Sequence, residues 1–252
     1  MKPRIIHVAG LPIANQTMEE SAEEFVALAK QPRDARGRAF YSTSANGQVI
    51  ALCESDAGFK ADLLLADQIH ADGMSLVLFS KKFQQEALSE RIATTDLIHA
   101  VAAKAVHTGA RFYLLGASEE INLAARRALQ QAYPGLQIAG GHHGFFDHSQ
   151  ADLVIDDILA SKADILWVGF GVPREQSFIR ANLHKLQGVA VIKTSGGLFD
   201  FLAGKNSRAP QWMQATGLEW LYRLILEPKR LGKRYLLTNP IAAYTMWKKR
   251  NG

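Results

Sequence analysis

Residues 163–179 read ADILWVGFGVPREQSFI, and residues 189–213 read VAVIKTSGGLFDFLAGKNSRAPQWM. In the first, residues 165–168 form an apolar run that ends on Gly169 and Gly171. A short apolar run of this kind is a strand buried on both faces. The glycines after it permit positive φ and let backbone N–H groups approach a ligand closely. The second stretch repeats the device, with an apolar strand over 189–192 and then Ser195-Gly196-Gly197. Two strand ends carrying glycine turns in one sheet predict a ligand crevice at the carboxyl edge of that sheet. A third piece, GLEWLYRLILEPKRLGKRY at 217–235, is different in kind because it is aromatic and strongly basic.

Strands and helices alternate over the preceding residues. Residues 4–9 read as a first strand, and Thr17 with Glu20 forms a capping box before a helix. A polar connector, 31–38, leads to a short strand at 39–43. Ser55 is placed to cap the next helix, and 74–79 (MSLVLF) fits either a strand or a buried helix. Thr95-Asp96 opens a helix that Gly109 stops, with Asp96 as the cap. Residues 111–115 and 136–140 read as strands flanking a helix that ends at Pro134-Gly135, and 150–161 reads as a helix. This alternation predicts an α/β fold: a Rossmann-like parallel sheet with helices on both faces. No G-x-G-x-x-G follows the first strand and no G-x-x-x-x-G-K-[ST] occurs, which disfavours an NAD-linked oxidoreductase and a P-loop hydrolase.

The 252 residues carry a net charge of +5, unevenly placed. Residues 205–252 hold ten Lys and Arg against two Asp and Glu, a net of +8, so residues 1–204 carry −3. The division predicted is an α/β core over 1–204 and a basic, aromatic, helical appendage over 205–252. Such an appendage calls for an anionic partner. Trp212, Trp220, Tyr222, Tyr235, Tyr244 and Trp247 point to a membrane surface rather than nucleic acid. A nucleic-acid- or nucleotide-binding module using that tail is the alternative, and the acidic body with no RNA or DNA motif speaks against it. Cys53 is alone, which excludes an internal disulfide and fits a reducing compartment. The opening residues lack the apolar run of a signal peptide, and no stretch approaches the roughly 20 apolar residues of a spanning helix. A cytoplasmic protein, at most peripheral to a membrane, is expected.

GFGVPREQ, GGLFDFLAGKNSRAP and GLEWLYRLILEPKR resemble the closing motifs of the WecG/TagA/CpsF family of bacterial glycosyltransferases, and matching pieces reach back to Ser44. The resemblance implies transfer of a sugar (N-acetylmannosamine, its uronic acid, or glucose) from a UDP-sugar to a polyprenyl-diphosphate-linked saccharide. It implies inversion, cell-surface polysaccharide synthesis on the inner face of the bacterial plasma membrane, and neither cofactor nor metal. A homo-oligomer is compatible with it.

The same resemblance assigns roles. Asp72, in His70-Ala71-Asp72-Gly73, matches the family's proposed catalytic aspartate, a general base that deprotonates the acceptor hydroxyl; by itself Asp-Gly is also a common turn. Ser44-Ala45-Asn46 matches an upstream T-x-N motif, with Thr43 a second candidate for the hydroxyl. Arg91 is placed to reach a phosphate through its planar fork. Gly116 ends a strand before a helix, where free N–H groups can hold a diphosphate or uracil edge. Glu175-Gln176 stands where the family has the reverse order, and either can take a sugar or ribose hydroxyl. Gly171, Gly196 and Gly197 offer backbone donors, and Arg208 precedes the Ala-Pro pair within reach of a phosphate. Arg223 and Arg230 match arginines thought to fold over the donor diphosphate. Trp220 and Leu224 recur at helical spacing and fit partial core packing, and Pro228 interrupts the helix there. His142 and His143 lack a spaced third ligand and are read as loop residues at the sheet edge.

Overall fold

The structure, a computed structural model, describes residues 3–31 and 37–250. The centre of the polar connector, 32–36, lies outside the described residues. In chain order the elements are β1 (Arg4–Val8), β2 (Leu11–Asn15), α1 (Met18–Ala29), β3 (Phe40–Ala45), α2 (Gly47–Ser55), α3 (Ala57–Leu63) and β4 (Gln68–Ala71). Then follow α4 (Met74–Phe83), α5 (Thr94–Thr108), β5 (Arg111–Gly116), α6 (Glu119–Ala132), β6 (Gln137–His142), α7 (Ala151–Ala160), β7 (Ile165–Gly169) and α8 (Arg174–Asn182). The chain closes with β8 (Val191–Thr194), α9 (Leu198–Leu202), α10 (Gln211–Ala215), α11 (Glu219–Leu226) and α12 (Pro228–Lys248).

Six strands form one parallel sheet in the order β4-β3-β8-β7-β5-β6. The α/β expectation is met. On one face, Phe25 of α1, Leu97 and Val101 of α5 and Leu129 of α6 pack on Phe112, Leu114, Ile165 and Trp167. On the other, Ile155 and Ile158 of α7 and Ile179 of α8 pack on Tyr41, Leu115, Leu166 and Ile192. Because both faces are covered, β7 is buried at all five positions, as its unbroken apolar sequence requires. β8 is also fully buried although Lys193 lies within it.

Residues 4–9 do not open the parallel sheet. β1 pairs antiparallel with β2 in a separate hairpin, closed by Ala9 and Gly10 with φ of 55° and 73°. Two central residues with positive φ give a turn whose twist matches that of the paired strands. The hairpin packs with α2, α3, α4 and the end of α12 in a third cluster holding Val8, Ile13, Ile50, Leu76, Ala242 and Met246. The run at 74–79 is helical.

Local caps explain several boundaries. Thr17 and Glu20 make the expected capping box. Asp56, not Ser55, caps α3 by accepting from Phe59 N at 2.9 Å, while Ser55 Oγ donates back to Ala51 O at 3.0 Å. Asp96 is not the cap of α5: the cap is Ala93 without a side-chain bond, and Asp96 in the first turn pairs with Arg208. Gly109 ends α5 at φ 74°. Pro228 begins α12, which separates it from α11. Among the described residues no helix is long and apolar enough to cross a membrane.

Candidate active site

A cavity of about 760 Å³ opens at the carboxyl ends of the central strands. Its floor comes from the ends of β3, β4, β7 and β8, and its roof from α11 and α12. Parallel strands place all their carboxyl ends on one edge, and the order reverses between the β3–β4 and β5–β6 halves, where a crevice is expected. Ser44, Asn46, Asp72, Arg91, Gly171, Glu175, Gly196, Gly197, Arg223 and Arg230 all line this cavity, from six separate segments of chain.

Alternation along β3 separates the two candidate hydroxyls. Ser44 faces the cavity, whereas Thr43 has no exposed surface and bonds Thr194 Oγ1 at 2.7 Å. Asn46 caps α2 by accepting from Val49 N at 3.2 Å. Asp72 follows β4, and its backbone N–H donates to Ala45 O at 2.9 Å, which ties the two strand ends together. Gly73 beside it lies so close to Asn46 that a Cβ would sit 3.2 Å from the Asn46 Cα.

Arg91 braces Asp72. Its Nε donates to the Asp72 carbonyl at 2.6 Å, and its Nη2 lies 3.8 Å from Asp72 Oδ1 and 2.7 Å from Glu219 Oε2. Burial raises the Asp72 pKa above the usual carboxylate range, and Arg91 and Lys193 pull it back down. Burial likewise pushes Glu175 up to about 7, opposed by the Gly196 N–H it accepts at 3.0 Å and by Lys193. Gln176 turns away from the cavity towards Thr43 Oγ1, at 3.4 Å, so Glu175 is the member of the pair that faces a ligand.

Besides Thr43 and Gln176, two more candidates stand outside the lining. Gly116 has φ 145°, and a Cβ there would meet the Gly169 carbonyl oxygen at 2.3 Å, so the glycine serves close packing of β5 on β7 while Ala117 lines the cavity. Arg208 has all five N–H donors occupied by protein: Glu219, Thr95, Gln214 and both oxygens of Asp96. It joins α5 to α10 and α11 instead of facing a ligand.

The roof carries Trp220, edge-on to Tyr235 with centroids 5.8 Å apart, together with Arg223, Arg230, Arg234 and Asn239. None of the α11 residues is fully buried: Leu224 is half-buried, as partial packing expects, whereas Trp220 is exposed. His142 and His143, with ring centroids 4.3 Å apart and planes tilted by 42°, line a separate hollow at the β6 edge, away from the main cavity. Among the described residues no group of three or more His, Cys, Asp and Glu could hold a metal ion.

Sequence reasoning missed Lys193 and Glu219. Lys193, fully buried, donates from Nζ to Ser44 Oγ at 2.6 Å. A lysine inside an apolar strand was the available signal. Glu219 holds Arg91 and Arg208, the latter at 2.9 Å. It lies in a quoted motif, but its partners are more than a hundred positions away or across a turn.

Comparison with known proteins identifies the family. The model of the Glycosyl transferase WecG/TagA/CpsF family matches residues 6–252. Two relatives named N-acetylglucosaminyldiphosphoundecaprenol N-acetyl-beta-D-mannosaminyltransferase, from Staphylococcus aureus strains MRSA252 and NCTC 8325 / PS 47, are each 28% identical over 244 residues. Each alignment covers 96% of this chain and 92% of the relative. The chain is a glycosyltransferase and belongs to the WecG/TagA/CpsF family.

Proposed function

We propose that the cavity transfers N-acetylmannosamine from a UDP-sugar to an N-acetylglucosaminyl-diphosphate carried on a polyprenyl lipid, with inversion, in cell-surface polysaccharide synthesis. The observation that carries this reading is Asp72: a braced carboxylate at the floor of a cavity large enough for a nucleotide sugar, with basic side chains above it. The transferred sugar and the acceptor are taken from the printed names of the Staphylococcus aureus relatives, and the UDP carrier from the family resemblance.

Asp72 accepts the proton of the acceptor hydroxyl as that oxygen attacks the anomeric carbon. The bond from that carbon to the diphosphate breaks on the opposite side, and UDP leaves with the electron pair. One displacement inverts the anomeric configuration. Arg91, Arg223 and Arg230 supply the positive charge that the departing diphosphate requires, a task that needs no metal ion. Glu175 and the Gly196-Gly197 turn offer acceptors and donors for sugar or nucleotide hydroxyls.

The outer face of α12 suits the lipid substrate. Leu236, Leu237, Ile241, Tyr244 and Trp247 are exposed along it, with Lys229, Lys233 and Lys248 exposed beside them. An apolar stripe flanked by lysines fits an anionic lipid surface, where each cation contributes about 1 kcal/mol. On this reading the protein is peripheral to the membrane, and the roof of the cavity closes where the lipid-linked acceptor arrives.

The experiment is transfer from a panel of UDP-sugars to a short-chain prenyl-diphosphate-linked N-acetylglucosamine, in EDTA, by the unmodified protein and by Asp72→Asn. Transfer by the first and a loss of about 10²–10⁴ in the second is expected. Equal rates would reduce Asp72 to a turn residue, and transfer from no donor would overturn the reading.

A further inference from the structure

Lys193 is the most unusual buried group in the molecule. It sits in β8 between two adjacent strands, in register with Trp167 on one side and Ser42 on the other. Its side chain therefore lies on the sheet face that carries Ser42, Ser44, Gln68 and His70. No part of it is exposed. Lysine is almost never fully buried unless it is paired. Among the described residues it forms an ion pair with no carboxylate; it donates to Ser44 Oγ at 2.6 Å. Ser44 Oγ in turn lies 3.2 Å from Thr94 Oγ1, and both hydroxyl residues line the cavity beside Asp72.

A buried cation next to a reaction site is expensive, so its placement calls for a reason in the site. We propose that Lys193 is a positioning residue for the transfer chemistry: its buried ammonium orients the Ser44 hydroxyl and keeps the Asp72 carboxylate in its proton-accepting form. This inference rests on the reading of Asp72 as the general base. With Lys193 donating to its oxygen, Ser44 has its own proton to offer to Thr94 or to a ligand in the cavity. The charge acts on Asp72 in the same sense as Arg91, whose Nη2 lies 3.8 Å from Asp72 Oδ1.

The groups facing Lys193 agree with that assignment. Asp72, at the end of β4, and Glu175, on α8, both favour its charged form, against burial, which takes it down to about 7. Among the described residues, His70 on β4 has no hydrogen-bond partner on either ring nitrogen, and burial and Lys193 hold its pKa well below the usual range, so it is neutral. Glu24 on α1 is taken up by Gln16 and Gln68, and Asp200 on α9 by Lys205. The ammonium is thus present on the acid side of neutrality, where Asp72 most needs a cation to remain ionised.

The test replaces Lys193 in two ways, Lys193→Met and Lys193→Gln, the second keeping a donor towards Ser44 without the charge. Two readouts are taken. The first is the titration of the Asp72 carboxyl carbon by NMR without substrate, assigned with Asp72→Asn. Both variants are expected to move it to higher pH; an unmoved titration overturns the inference whether or not transfer is seen. The second is kcat/KM against pH. A loss of about tenfold at pH 6.5 that shrinks to within about threefold at pH 9 is expected, since a raised Asp72 ionises late. A loss equal at every pH would mark a merely structural lysine and overturn it. In the Asp72→Asn background the Lys193 variants should cause no further loss, and an additive loss would overturn action through Asp72. A moved titration in a protein that transfers no sugar would leave the Lys193–Asp72 coupling standing and sink the transferase reading alone.

Discussion

Glu219→Gln tests the electrostatic frame of the site more sharply than removal of any catalytic group. Glu219 forms an ion pair with Arg91 at 2.7 Å and accepts a hydrogen bond from Arg208 at 2.9 Å, and its side chain is only 13% exposed. Two charges about 2.8 Å apart attract by roughly 6 kcal/mol at an effective dielectric of about 20. Desolvation offsets most of that, and breaking a buried pair from one side costs about 3–5 kcal/mol. Two features lower the figure here. Arg208 keeps Asp96, Thr95 and Gln214, and Arg91 keeps the Asp72 carbonyl. Glutamine also retains an acceptor for one of the two guanidiniums. A loss of about 2–3 kcal/mol remains, which for a chain of this size lowers Tm by roughly 4–12 °C. The same substitution has a second, independent signature. Glu219 raises the Asp72 pKa, so its neutralisation lets Asp72 ionise at lower pH. The acid limb of kcat/KM should move down, opposite to the direction expected for Lys193→Met. Calorimetry and a pH–rate profile on one preparation measure both. A Tm within about 1 °C of the unmodified protein, with an unmoved acid limb, would refute the assignment of Glu219 as the brace of Arg91.

Gly116→Ala should lower stability by roughly 3 kcal/mol or more, because it sets a Cβ against the backbone of Gly169 and forces alanine to positive φ. A denaturant midpoint unchanged from the unmodified protein would show that β5 can shift on β7. Leu236→Glu combined with Leu237→Glu should weaken sedimentation with vesicles containing acidic phospholipid by about tenfold or more, since each exposed leucine forfeits roughly 1 kcal/mol of apolar transfer. Transfer to a water-soluble short-chain acceptor should be unaffected, and unchanged vesicle binding would remove α12 from the membrane surface.

What was legible in the sequence was whatever one strand or turn encodes by itself. The unbroken apolar run of β7 announces a central parallel strand, and the glycines after β7 and β8 announce the edge where the cavity lies. The motif residues Ser44, Asn46, Asp72, Arg91 and Glu175 converge on that cavity because parallel strands deliver their carboxyl ends to one place. Long-range partnership was not legible. Nothing in the spacing of Arg208 says that Asp96, over a hundred positions earlier, occupies its fork. A phosphate contact and a structural tie look the same in a string of letters. The partner of the first strand was not legible for a related reason. RIIHV has the apolar content of a sheet strand, and only the two-residue Ala9-Gly10 turn separates it from LPIAN, with which it pairs.

Lys193 and Glu175 show why such a site is not optimised for stability. Lys193 is pulled from 10.5 to about 7, so the unfolded chain binds more protons between those limits. Stability therefore falls as pH is lowered through that window, and below about 7 the full penalty of a buried ammonium is present. Glu175 is pushed from 4.5 to about 7, and its penalty builds in the opposite sense, as pH rises from 4.5 to about 7. The two groups oppose each other across neutrality: acid conditions relieve the glutamate and load the lysine, and alkaline conditions do the reverse. Each favours the charged form of the other, so near pH 7 each charge lessens the penalty of the other without removing it. An apolar residue at position 193 would escape the whole penalty. That the strand carries lysine there, donating to a cavity hydroxyl, is the behaviour of a fold that gives up stability to hold charge at its reactive edge.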